Sequence, residues 1–192
     1  KTIRSIILIR SYIEDCFRIG LQLISEFECS GLINGPVNKK RFLDFKKPGI
    51  TEYLANKYKI KKFAMLIYNK NLSVCPITTH LPIKNVHKYI NKTKIIEKVK
   101  LINLFYKKKL KKKPKIAITG LNPHCESSNK INEEDIYIKP AIKYLKQKKI
   151  FAYGPFSADT IFMKNQIEKF DVVVGMYHDQ VLTPIKALYN FD

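Results

Sequence analysis

An α/β fold with a mainly parallel sheet is what this sequence predicts, and three observations predict it. Short apolar, β-branched runs occupy residues 115–120, 150–153 and 171–176. Stretches of helical periodicity, 91–113 and 133–148, lie between the chain's apolar runs. Alternation of this kind calls for crossover connections, which parallel strands require.

The remaining elements follow in chain order. Residues 3–27 read as one or two amphipathic helices, with Arg10, Glu14, Asp15, Arg18 and Gln22 recurring on one side. Gly31 breaks that pattern, and 31–36 read as a short buried strand ending in a tight turn at Gly35-Pro36. A short helix is expected over 39–45. Pro48-Gly49 is a second breaker, after which Thr51 is the expected N-cap with Glu52 in the first turn. The runs 62–68 and 72–78 flank Asn69-Lys70-Asn71 as strand, turn and strand. A helix is expected to start near Lys84. The helix over 91–113 turns Ile95, Val99, Ile102, Leu104 and Phe105 inward and its lysines outward. This divides the chain into two α/β portions, about 30–113 and 114–192.

Composition narrows the function classes. A hydrophobic fraction of 45% supports a packed core, and no apolar run reaches the roughly 18 residues of a membrane helix. The chain opens on Lys1, with no signal pattern after it, so the natural start is left open. The net charge of +20 suggests an anionic partner, yet only four of the 36 basic residues are arginines. Arginine is the preferred reader of bases and phosphates, so the lysines read as solvated faces and nucleic acid is not the expected partner. The run Lys107-Lys108-Lys109-Leu110-Lys111-Lys112-Lys113 fits a helix C-terminus, where cations suit the dipole. Cys16, Cys29 and Cys75 sit in apolar segments and read as buried thiols. With Cys125 they form no CxxC pair, and a reducing, cytoplasmic compartment is expected.

Ligands in open α/β sheets gather beyond the carboxyl ends of the strands. Three segments leave apparent strands with a histidine close behind: His80 in Thr78-Thr79-His80-Leu81-Pro82, His124 in Gly120-Leu121-Asn122-Pro123-His124, and His178 in Met176-Tyr177-His178-Asp179-Gln180. Three converging imidazoles would hold a divalent metal with open positions. Spacings of 44 and 54 residues require the tertiary fold to assemble them, and a hydrogen-bonded turn histidine is the plainer reading. Asp159 and Asp179 are placed to orient imidazoles or to cap helices. His87 reads as a surface residue of a helix.

Those three segments, with Gly154-Pro155-Phe156-Ser157-Ala158-Asp159-Thr160-Ile161-Phe162 and Asn34-Gly35-Pro36-Val37-Asn38-Lys39, resemble consecutive motifs of the 4-hydroxythreonine-4-phosphate dehydrogenases, from about residue 30 to the C-terminus. The resemblance implies an isocitrate/isopropylmalate dehydrogenase-like fold, and a homodimer whose sites lie at the subunit interface. It implies oxidation of 4-phosphooxy-L-threonine with NAD or NADP, then loss of carbon dioxide to give 3-amino-2-oxopropyl phosphate for pyridoxine biosynthesis. It places a divalent metal, such as zinc, cobalt or magnesium, on His80, His124 and His178. Substrate contacts carry over to Thr51 and Lys186. Lys39, Asp159 and Asp179 are the candidate proton acceptors.

The chain departs from that family in four places. Ile50 stands where the family has a histidine, which removes one polar contact to substrate. Asn34 and Asn38 flank the Gly-Pro-Val turn in place of Thr and His. Cys125-Glu126-Ser127-Ser128-Asn129 replaces a glycine-rich loop, restricting positive φ. The family also extends beyond both ends, so the chain corresponds to its central part. Two other readings stay open here, a non-catalytic relative that keeps the metal site and a Lys-rich nucleic-acid binder.

Overall fold

The computed structural model describes residues 3–26, 29, 31–38, 42, 49–126 and 132–190, in two compact units, Lys1–Lys59 and Ile60–Asp192. In the first unit, α1 (Ile3–Ser25) is one continuous helix. Its polar residues pair along one side, Arg10 with Glu14 at 3.5 Å and Arg18 with Asp15 at 3.2 Å. An aromatic cluster of Phe17, Phe42 and Tyr53 packs with ring centroids 4.8–6.1 Å apart.

Two expectations about local elements fail in this unit. Residues 31–36 form no strand and are exposed. Gly31, Gly35 and Pro36 disfavour a ladder, and the unit's described residues offer no partner strand. Thr51 is not the N-cap. Gly49, extended at φ −163°, holds that position, so α2 (Ile50–Lys57) has begun before Thr51 is reached. Glu52 does sit in the first turn. Most of the helix expected over 39–45 lies outside the described residues.

The second unit is a four-stranded parallel sheet with helices on both faces, as the sequence predicts. Its strands are β1 (Ser73–Pro76), β2 (Ile116–Thr119), β3 (Ala152–Phe156) and β4 (Val172–Gly175), in the order β1-β4-β2-β3. The pleat sorts side chains by parity. Cys75, Ile116, Ile118, Val172 and Val174 face one core, with Ile95, Val99 and Ile102 of α4 (Lys92–Lys109) and Ala141, Ile142 and Leu145 of α5 (Lys139–Gln147). Val74, Ala117 and Val173 face the other, with Val181, Leu182 and Ile185 of a C-terminal helix (His178–Tyr189). Two short helices, α3 (Val86–Tyr89) and α6 (Lys164–Ile167), the C-terminal helix α7, two 3-10 turns (Ile83–Asn85 and Pro123–Cys125) and a π-helical turn (Glu134–Ile138) leading into α5 complete the unit. Asn91 caps α4, its Oδ1 accepting from the Lys94 N–H at 2.9 Å. No described helix is long and apolar enough to cross a membrane.

Several local expectations need correction. Residues 62–68 are not a strand; only Ile67 bridges Val74, antiparallel, while Ala64 and Leu66 pack against the core beside α4. Leu104 and Phe105 are exposed. The buried stripe of α4 runs 95, 99, 102, 106, at helical spacing, so Tyr106 takes the inward place and donates to Ser73 Oγ at 2.9 Å. Cys29 is exposed and Cys125 half-buried, and Cys16 is exposed because its neighbour Phe17 takes the inward position on α1. Cys75 alone is a buried thiol. Burial, slightly offset by Lys98, pushes its pKa up to about 11, so it stays a neutral core residue.

Candidate functional site

All four strands run in parallel, so their carboxyl ends meet at one edge. His80 follows β1 by four residues, His124 follows β2 by five, and His178 opens α7 three residues after β4. Strand order places β4 between β1 and β2, so the His178 turn has the His80 loop on one side and the His124 loop on the other.

Buried polar side chains knit these loops together. The Thr78 hydroxyl donates to the Met176 carbonyl at 2.8 Å, tying the His80 loop to the His178 turn. Gln180, buried, ties that turn to β2. Its Oε1 accepts from the Met176 N–H at 2.6 Å and the Thr119 hydroxyl at 2.9 Å, and its Nε2 donates to the Gly120 carbonyl at 2.9 Å. On the far side of the His124 loop, Glu134 is 0% exposed and accepts from the N–H groups of Leu121 and Asn122 at 2.7 and 2.9 Å. Its second oxygen accepts from the Asn122 amide at 2.8 Å. Burial alone would raise its pKa, but these hydrogen bonds outweigh it and hold the carboxyl below its ordinary value.

The rings of His80 and His178 lie 5.8 Å apart, centroid to centroid, tilted by 39°. Asp179 Oδ1 sits 2.6 Å from His178 Nδ1. With the proton on Nδ1 and shared with that carboxylate, Nε2 keeps its lone pair for a ligand. His124 stands apart in geometry. It is exposed and left-handed, at φ 55° and ψ 14°, and Cys125 follows at φ 61°. Such conformations cost about 1 kcal/mol or more for non-glycine residues. The positive φ that the sequence comparison expected of a glycine is thus adopted here by a cysteine.

His124 lines a cleft of about 310 Å³ with Asn122, Ser157, Asp159, Tyr177 and Gln180. The Ser157 hydroxyl donates to Asp159 at 2.6 Å. That bond, with a smaller contribution from His124, holds the Asp159 carboxyl below the usual carboxylate range. It is an ionised acceptor but a weak base. Among the described residues no three His, Cys, Asp or Glu side chains group as a metal-ligand set.

The other residues singled out in the sequence lie on other parts of the chain. Lys186 is exposed on α7. Ile50 and Thr51 are half-buried in the first turn of α2, in the other unit. Lys39 lies outside the described residues. His87 is exposed on α3, the surface position expected of it. Sequence reasoning missed the roles of Thr78, Gln180 and Glu134. The first two lie within quoted motifs, but nothing local shows that Glu134 reaches back 12 and 13 residues.

The family model described as "Pyridoxal phosphate biosynthetic protein PdxA" matches residues 10–192. The 4-hydroxythreonine-4-phosphate dehydrogenase of Sulfurihydrogenibium sp. (strain YO3AOP1) is 44% identical over 169 residues, 86% of this chain and 52% of that protein. The protein of the same name from Aquifex aeolicus (strain VF5) is 38% identical over 82% of this chain and 50% of its own length. A crystal structure of 4-hydroxythreonine-4-phosphate dehydrogenase from Klebsiella pneumoniae superposes with a TM-score of 0.81 at 30% identity, over 93% of this chain and 55% of that one. The chain therefore spans about half the length of the relatives it matches. A family match over nearly the whole chain, with close fold agreement, is decisive: the chain belongs to the pyridoxal phosphate biosynthetic protein PdxA family.

Proposed function

We propose that this chain carries the metal-binding part of an NAD(P)-dependent dehydrogenase that oxidises 4-phosphooxy-L-threonine to 2-amino-3-oxo-4-phosphooxybutanoate in pyridoxine 5'-phosphate biosynthesis. One hydride goes to NAD or NADP and one proton is released. The product then loses carbon dioxide to give 3-amino-2-oxopropyl phosphate. The observation that carries this reading is the His80–His178 pair, with Asp179 on the Nδ1 of His178.

The pair fits a divalent metal. An imidazole centroid lies about 3 Å from an ion it binds through a bond of about 2 Å, so rings 5.8 Å apart can share one ion. Two neutral nitrogens favour zinc or cobalt over magnesium. His124 is the third ligand. In the homodimer that the family resemblance implies, a second copy supplies it. When bound, the metal supplies Lewis acidity at the substrate hydroxyl while the nicotinamide accepts hydride.

The chain's own residues have distinct tasks. Asp179 fixes the ring and tautomer of His178. Asp159 and Lys39 are the candidate acceptors for the released proton, and the lowered pKa of Asp159 makes it the weaker base there. Lys186 pairs with substrate anions and Thr51 hydrogen-bonds substrate, while Ile50 contributes apolar contact only. The work is assigned to the cytoplasm.

A relative 29% identical, from Pectobacterium atrosepticum, is named D-threonate 4-phosphate dehydrogenase, which makes D-threonate 4-phosphate the competing substrate to test. The test is Co²⁺ titration of the purified protein and of its His80→Ala and His178→Ala variants, with turnover followed by reduced nicotinamide. Each variant is expected to lose at least about tenfold in Co²⁺ affinity. Uptake undiminished in the double variant overturns the metal site. Faster turnover of D-threonate 4-phosphate than of 4-phosphooxy-L-threonine overturns the substrate assignment.

A further inference from the structure

We infer that Glu134 is a positioning residue for His124, acting through Leu121 and Asn122. This rests on the reading of His124 as a metal ligand.

The loop from β2 to His124 is short and strained. It leaves the sheet at Gly120 and reaches His124 four residues later in a left-handed conformation. A strained conformer persists only where its surroundings over-determine it. Three side chains do so here, one of them Glu133, whose Oε2 accepts from the Asn122 amide at 3.0 Å. Gln180 takes the Gly120 carbonyl. Glu134 takes the next two N–H groups and the Asn122 side chain. Gly120 is closely embraced, since a Cβ there would lie 3.0 Å from Glu134 Oε1 and 2.9 Å from Cys125 Sγ. The segment entering the His124 turn is thus gripped on both sides, and Glu134 is the jaw outside the cleft.

A buried carboxylate is a costly way to hold a loop if folding alone is served. Its geometric return is direction. Three donors on two adjacent residues fix the path of the chain two residues before the imidazole. Glu134 touches neither the cleft residues Asp159 and Tyr177 nor a histidine ring in any hydrogen bond described, so its effect on a ligand must pass through the loop.

The experiment is Co²⁺ titration of the full chain carrying Glu134→Ala or Glu134→Gln, each alone and combined with His124→Ala. Thermal melts of the metal-free proteins confirm folding. The Gln variant keeps the volume and one acceptor oxygen, and so remains informative if the Ala variant does not fold. We expect Glu134→Ala to weaken Co²⁺ binding by at least about tenfold when His124 is present, and by less than about threefold in the His124→Ala background. The Gln variant should fall between Ala and the wild type. Equal losses in both backgrounds show a merely structural role and overturn the inference, as does an unchanged affinity. A wild-type chain that takes up no Co²⁺ overturns the site reading itself, and this inference with it.

Discussion

Gln180 Nε2 donates to the Gly120 carbonyl at 2.9 Å, joining the first turn of α7 to the end of β2. The same side chain accepts from Met176 and Thr119, so three hydrogen bonds of one amide hold two histidine-bearing segments in register.

Gln180→Leu, similar in volume, should therefore be costly. It strands the Met176 N–H, the Thr119 hydroxyl and the Gly120 carbonyl at a buried position. Unsatisfied buried groups cost about 1–3 kcal/mol each, and partial relaxation brings the expected total to roughly 3 kcal/mol. Urea unfolding measures it. A loss below about 1 kcal/mol would mean that water replaces the amide and that the register is held elsewhere.

Acid sensitivity should trace to Glu134. Its folded-state pKa is lowered and its unfolded value is ordinary, about 4.3. The stabilisation is therefore complete above the unfolded pKa and disappears as pH falls through the folded one. The urea midpoints of wild type and Glu134→Gln should differ most at neutral pH and converge below about pH 4. A gap that stays constant across that range would contradict the assignment.

Gly175 closes β4 directly beneath α7. A Cβ there would meet Val181 Cγ1 at 2.4 Å, and valine, stiff at χ1, cannot swing aside. Gly175→Ala should cost about 2 kcal/mol by overpacking. Val181→Ala in the same chain should recover part of that loss, making the double variant less destabilised than the sum of the singles. Strict additivity in denaturant unfolding would show that the strain is relieved by a shift of α7 instead.

Much of the second unit was legible in the sequence because its signals are local. Alternating parity at 116–118 and 172–174 and the stripe 95, 99, 102 suffice to place strands and helix. The exceptions were cases where a neighbour decides. Residues 62–68 have strand-like composition, but only Ile67 finds a ladder partner. Residues 31–36 find none among the described residues of their unit. Tyr106, not Leu104 or Phe105, is inward because the helix phase counts more than apolarity.

By itself the sequence determined the fold class, the strand-end placement of His80, His124 and His178, and membership of a family whose motifs occur in order. Those follow from periodicity and from residue identity, both of which are properties of the chain alone. Only the tertiary structure decided that His80 faces His178, that Asp179 takes the Nδ1 of that ring, and that His124 occupies a strained turn gripped by Glu134 and Gln180. The reason is physical. A histidine pair is set by strand order, which brings residues 98 positions apart to neighbouring loops, and a buried carboxylate is held by backbone donors whose availability depends on how a loop leaves its sheet.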